Sequence, residues 1–175
     1  MLTSDDQKDM QNKNNIVLIG MPGAGKSTVG VVLAKRLGLV FLDSDLVIQE
    51  KQGMLLHEII EGKGLDAFLR IEEDVNASLS ASGAVIATGG SAVYGEKAMA
   101  HLKRIGTVVY LQLSFTTIAE RLGDLNERGV AMRDGQDLHS LYEERVPLYE
   151  KYADIILPCE KKMLREIVLE IAEQL

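Results

Sequence analysis

A single cysteine, Cys159, excludes an intrachain disulfide and any multi-cysteine metal site. The three histidines, His57, His101 and His139, are scattered without ligand spacing, and exposed or capping roles are expected for them. No apolar run approaches the ~20 residues that a bilayer-spanning helix needs, and no signal peptide is recognisable, so a soluble, cytoplasmic chain is expected. Positive charge is in deficit: 19 Lys and Arg face 26 Asp and Glu, a net charge of −7. That balance argues against a dedicated nucleic-acid or anionic-membrane binder, which would carry a basic stripe. There is no internal repeat, no interdomain linker and no obvious hydrophobic patch; a single domain and a monomer fit these absences. What is present is ordinary for a globular protein, with 46% apolar and 26% charged residues.

The informative stretch is Gly20-Met21-Pro22-Gly23-Ala24-Gly25-Lys26-Ser27, followed by Thr28. It fits the phosphate-binding pattern G-x-x-x-x-G-K-[ST], and its context fits too. The apolar run Ile16–Ile19 precedes it as a strand, and Val29, Val32, Leu33 and Leu37 follow at helical spacing before Gly38. Glycines let backbone N–H groups close on an anion, and a helix N-terminus adds partial positive charge. In such a loop Lys26 reaches the outer phosphates and the Ser27 hydroxyl ligates magnesium.

The remaining chain alternates apolar runs with amphipathic stretches. Strands are expected at 39–42, 84–87, 107–111 and 155–157, the run at 39–42 being read as buried. Helices are expected at 46–52, around 56–60, and at 65–80, 96–104, 116–122, 138–152 and 163–175, that over 138–152 bent or interrupted near Pro147. This alternation predicts an α/β fold, a five-stranded parallel sheet with helices on both faces. Residues 1–14 read as a frayed tail and 15–175 as one domain. The polar, glycine-containing stretch at about 123–137 reads as a lid. Asp43 and Asp45, at the end of the second strand, lie where open parallel sheets bind ligands, although an Asp there also serves as a helix N-cap. Gly89 and Gly90 after the third strand permit close approach of a ligand.

With the phosphate-binding loop, Asp43-Ser44-Asp45, Ala87-Thr88-Gly89-Gly90 and Glu144-Arg145-x-Pro147-Leu148-Tyr149 in this order, the chain resembles the shikimate kinase family from about Ile16 to its end. The resemblance implies strand order 2-3-1-4-5, ATP and Mg2+, a mobile lid, and transfer of the γ-phosphoryl group to a hydroxyl of shikimate. It assigns Gly23, Ala24, Gly25, Lys26, Ser27 and Thr28 to the ATP phosphates. Ser27 and Asp43 go to the metal, and Asp45 to the acceptor hydroxyl. Gly89 and Gly90 go to the acceptor, Arg128 to the phosphates and Arg145 to the acceptor's carboxylate.

Three departures concern the acceptor side and the lid. The family pattern Gly-Glu-x-x-Phe-Arg-x-x-Glu is here Gly64-Leu65-Asp66-Ala67-Phe68-Leu69-Arg70-Ile71-Glu72, with Leu69 in the place of a second carboxylate-binding arginine. Arg70 takes over that contact only if the helix turns by about 100° or shifts register. Ser91 replaces a third glycine, and Arg128-Gly129-Val130-Ala131 replaces Arg-Pro-Leu-Leu. The alternatives are a kinase for another small hydroxy acid or amino acid, gluconate- or homoserine-like, and a nucleotide-binding regulator without turnover. Intact Lys26, Ser27, Asp43 and Asp45 argue against the regulator, and the absence of Asn-Lys-x-Asp argues against a GTPase.

Overall fold

The five apolar runs pair side by side into one parallel sheet, in the order β2-β3-β1-β4-β5. The computed structural model describes residues 13–123 and 130–175. The strands are β1 (Asn15–Ile19), β2 (Val40–Asp43), β3 (Ala84–Ala87), β4 (Gly106–Gln112) and β5 (Ile155–Pro158). The helices are α1 (Lys26–Leu37), α2 (Ser44–Gln52), α3 (Leu56–Lys63), α4 (Leu65–Ala77), α5 (Glu96–Ile105), α6 (Phe115–Leu122), α7 (Leu138–Tyr152) and α8 (Leu164–Gln174). A short 3₁₀ turn at Ala92–Tyr94, which no periodicity announces, separates β3 from α5. The architecture and strand order agree with the sequence-based expectation. The frayed tail expected at 1–14 lies mostly outside the described residues, as does the 124–129 part of the expected lid.

Burial follows position in the sheet. β1 and β3 are covered on both faces, which is why they read as unbroken apolar runs. β2 differs from its reading as a buried strand: it is an edge, with Val40 65% exposed and the rest partly covered. Its β-branched and aromatic content records strand propensity rather than depth. The main core runs between the sheet and its helices, through Leu18, Ile19, Leu33, Val85, Met99, Val109 and Ile171. A smaller apolar cluster of Ile48, Ile59, Phe68, Val75 and Ala131 ties α2, α3 and α4 together, with Leu69 packed against it.

Of the two alternatives expected for α7, a bend or an interruption near Pro147, the interruption does not occur. A proline inside a helix removes one N–H bond and crowds the preceding turn. Here Arg145 and Tyr149, buried on either side of it, fasten both halves to the rest of the molecule, and Asp137 caps the start by accepting from Ser140 N at 2.8 Å. The register sets Leu18, Ala87 and Asp43 in one row across β1, β3 and β2, so the turns that leave these strands open at the same end of the sheet.

Candidate active site

The turn after β1 is shaped by its glycines. Gly20, Gly23 and Gly25 adopt φ of 149°, 80° and 91°, in which a side chain would strain the backbone. α1 starts at Lys26 with no side-chain cap and no acidic residue in its first turn. Its first N–H groups therefore face outward as donors, next to the positive end of the helix dipole. The Lys26 ammonium is buried and donates to the carbonyls of Gly20 (2.7 Å) and Met21 (2.9 Å). Burial draws its pKa from 10.5 down to about 8, while neighbouring Asp45 pulls the other way.

Asp43 ends β2 and caps α2, its Oδ1 accepting from Asp45 N at 3.0 Å. Its Oδ2 accepts from Ser27 Oγ at 2.8 Å. The helix-cap role and the position beside the phosphate loop thus coexist in one side chain. Contrary to expectation, Asp45 does not share the end of the second strand with Asp43; β2 has ended, and Asp45 sits in the first turn of α2. Burial, and then the nearby Asp43 charge, lift its pKa from 3.8 to about 6.

The turn after β3 presses against these groups from the other side. A Cβ on Gly89 would stand 2.6 Å from Glu72 Oε1 and 2.7 Å from Asp45 Oδ1, so the glycine is what lets two carboxylates close over the backbone. A Cβ on Gly90 would meet Pro22 Cδ at 2.7 Å and Arg145 Nη1 at 3.0 Å. Tyr149 Oη holds that turn by donating to the Gly90 carbonyl at 2.7 Å. Glu72, from α4, is 1% exposed, and Ser91 Oγ donates to its Oε2 at 2.6 Å. Burial raises Glu72 from 4.5 to about 7; the Ser91 hydrogen bond opposes the rise and the Asp45 charge adds to it. Asp45 Oδ1 and Glu72 Oε1 are both buried without a hydrogen-bond partner among the described residues.

Arg145 is 1% exposed and completes the far wall. Its Nε donates to Tyr94 Oη (3.2 Å) and its Nη2 to the Ala131 carbonyl (2.6 Å), while the guanidinium lies 5.2 Å from the centre of the Tyr94 ring. Tyr94 Oη in turn donates to Glu144 Oε1 at 2.5 Å. Nη1 is left toward Gly90 and the cavity. One cavity of about 370 Å³ is lined by Lys26, Ser27, Asp45, Glu72, Gly90 and Arg145 among others. A cationic phosphate-sized end, a carboxylate middle and a cationic far end suit a phosphorylated donor meeting a small anionic acceptor.

Of the residues singled out in the sequence, Gly23, Gly25, Lys26, Ser27, Thr28, Asp45, Gly89, Gly90 and Arg145 line this cavity, with Ala24 in the same loop and Asp43 on Ser27. Arg70 does not join them. It is exposed and lines a separate cleft with Lys63 and Arg133, because one helical step carries it away from the face that presents Glu72. Leu69 packs into the small apolar cluster instead. Arg128 lies outside the described residues. Glu72, Ser91 and Tyr94 were not among the candidates. Glu72 was signalled only by its place in the Phe-x-x-x-Glu string, and Tyr94 by nothing local. Arg121, whose Nη1 donates to the Gly23 carbonyl at 3.3 Å, was also missed.

The family model "Shikimate kinase" matches residues 22–175. A shikimate kinase of Sulfurihydrogenibium sp. is 37% identical over 158 residues, covering 90% of this chain and 95% of its own. One from Actinobacillus succinogenes is 38% identical over 168 residues, covering 94% and 96%. Among solved structures, shikimate kinase from Acinetobacter baumannii in complex with shikimate aligns with a TM-score of 0.85 at 34% identity, over 95% of both chains. The Aquifex aeolicus enzyme aligns at 0.79 and 37% identity, over 91% of this chain and 94% of that one.

Proposed function

The chain belongs to the shikimate kinase family, and from that premise we propose that it transfers the γ-phosphoryl group of ATP to a hydroxyl of shikimate. The observation that carries the reading is the single cavity in which Lys26 and Ser27 stand at one end, Asp45 midway and Arg145 Nη1 at the other. A nucleotide's phosphates pair with the first and the acceptor's carboxylate with the last, which brings the acceptor's hydroxyl to Asp45.

Phosphoryl transfer asks a protein for positioning and charge compensation more than for covalent chemistry. Lys26, protonated at neutral pH, exchanges two carbonyl partners for phosphate oxygens and spreads the charge of the transferred group. Arg128 completes the phosphate-binding set in this proposal, within a lid at 123–137. Asp45 accepts a hydrogen bond from the attacking hydroxyl and takes its proton as the new P–O bond forms and ADP leaves. An elevated pKa of about 6 brings its proton affinity nearer the working pH, where general bases act best. Arg145 fixes the other end of the acceptor and so limits which hydroxyl faces the nucleotide. Ser27 Oγ and Asp43 Oδ2, 2.8 Å apart, make a hard-oxygen pair of the kind magnesium takes, and would hold it. When bound, that ion supplies positive charge to the nucleotide's phosphates. In the same reading, a monomer of one domain, residues 15–175, works in the cytoplasm on a small molecule.

The test is ADP release by the purified protein with ATP and magnesium, offering shikimate beside small hydroxy acids and amino acids. Turnover on shikimate at an ordinary enzyme rate is expected. The position of Leu69, with Arg70 outside the cavity, favours a second reading in which another small hydroxylated acid is preferred. Turnover confined to such an acceptor would replace shikimate, and no turnover on any would overturn kinase function.

A further inference from the structure

Glu72 is a buried carboxylate that lacks the cation its helix could have supplied. Residues three apart on a helix are neighbours on one face, so an arginine at 69 would stand beside Glu72. Leu69 stands there instead, turned into the apolar cluster. The groups that face Glu72 come from four other places: Lys26 at the start of α1, Asp45 at the start of α2, Arg145 in α7, and Ser91 in the turn after β3. Neither cation bonds to it. Lys26 is committed to the Gly20 and Met21 carbonyls, and Arg145 to Tyr94 and Ala131. The hydrogen bond that reaches the carboxyl is the one from Ser91, at 2.6 Å. Ser91 is itself 5% exposed, so its hydroxyl is committed in turn.

That single bond has a directional consequence. Ser91 takes Oε2, and Oε1 faces Gly89 without a partner among the described residues, as does the Oδ1 of Asp45. When both groups are ionised, these two buried oxygens are acceptors without donors among the described residues, and a ligand in the cavity they line can supply them. Neighbouring hydroxyl groups on one small molecule supply them. Leu69 and Ser91, two departures from the family pattern that are 22 positions apart, thus meet at one carboxyl group.

We propose that Ser91 is a positioning residue of the acceptor pocket: it anchors Glu72 in place of a cation at position 69, and so turns Glu72 Oε1 beside Asp45 toward the hydroxyls of the acceptor. This rests on the kinase reading for its ligand, but the placement of Glu72 by Ser91 is testable without any acceptor.

The first measurement is the titration of the Glu72 carboxyl in the unliganded protein, followed by carbon-13 NMR and assigned with Glu72→Gln. Ser91→Ala should move the midpoint up, Ser91→Thr should restore it, and Leu69→Arg should lower it more in the Ser91→Ala background than in the wild type. A midpoint indifferent to the Ser91 hydroxyl overturns the proposal, whatever the enzyme phosphorylates. The second measurement is steady-state kinetics with shikimate. Ser91→Ala should raise the acceptor KM by about tenfold, the loss expected for a hydrogen bond to a charged group, with the KM for ATP unchanged. Leu69→Arg should recover most of that loss. An acceptor KM within twofold of wild type, or an equal Leu69→Arg gain with and without the Ser91 hydroxyl, would also refute it. Because wild-type turnover is the common reference, its absence points to the kinase reading and not to Ser91. Thermal midpoints of all variants separate misfolding from a local effect, and Leu69→Arg in the wild-type background keeps the titration decisive if Ser91→Ala is unstable.

Discussion

Glu72 should make the unliganded protein less stable at neutral pH than in mild acid. Its pKa rises from 4.5 to about 7 on folding, because burial penalises the charged form. Between those values the folded state holds a proton that the unfolded state releases, so the contribution is fully present below pH 4.5 and lost as pH rises through 7. At ~1.4 kcal/mol per tenfold change in proton affinity, Glu72 alone accounts for about 3 kcal/mol over that interval, most of it still present at pH 5. Asp45, raised from 3.8 to about 6, acts in the same direction. Asp137, Asp154 and Glu160, which hydrogen bonds depress below their ordinary values, act oppositely, but only under about pH 4.5. Urea unfolding at pH 5.0 and 7.5, without nucleotide, isolates the Glu72 contribution when the wild type is compared with Glu72→Gln. The wild type should gain about 2–3 kcal/mol more than the variant on going to pH 5. Equal gains in the two proteins would refute the reasoning.

Three other outcomes follow from the site's geometry. Asp45→Ala and Lys26→Ala should each lower kcat by a hundredfold or more with the circular dichroism spectrum intact, losses typical of removing a general base or a charge stabiliser; near-normal turnover would sink those roles. Arg145→Ala should raise the acceptor KM about ten- to a hundredfold and leave that of ATP nearly unchanged, and Tyr94→Phe should reproduce a part of it by freeing the guanidinium; equal effects on both substrates would count against a carboxylate-binding arginine. Gly89→Ala should reduce thermal stability by about 1–3 kcal/mol, because the new methyl meets two carboxylate oxygens within 2.7 Å, and activity should fall with it; an unchanged melting temperature would mean that those carboxylates yield easily.

The framework was legible because its signals are local. Ile16–Ile19 followed by the glycine-rich loop can be read from one stretch, and alternating apolar runs and amphipathic segments carry the parallel sheet. Asp43 and Asp45 were legible as a pair, but their geometry was not, since a strand ending at Asp43 and one ending at Asp45 leave the same sequence trace. Edge position was invisible at Val40, because apolar content reports propensity as much as depth. Glu72 and Ser91 meet only when α4 packs on the turn after β3, and Tyr94 reaches Arg145 across 51 residues. Such contacts are created by tertiary packing, which no window along the chain contains. Arg70 shows the same limit from the other side: adjacency in sequence suggested a substitute cation, and 100° of helix rotation removed it from the cavity.

The double duty of Asp43 welds the two halves of the reaction together. The carboxylate that meets Ser27 at the phosphate end also caps the helix whose first turn carries Asp45. The donor and the acceptor sides therefore share a pivot two residues long, and a shift of Asp43 by a few tenths of an ångström is handed on to Asp45. Damage there would be misread in a conventional alanine scan. In the proposed reading, Asp43→Ala withdraws a metal ligand and unfastens α2 at once, whereas Asp43→Asn, an equally good cap, withdraws the charge alone. Asp43→Asn against the wild type isolates the charge offered to the metal, and the difference between the two variants isolates the cap.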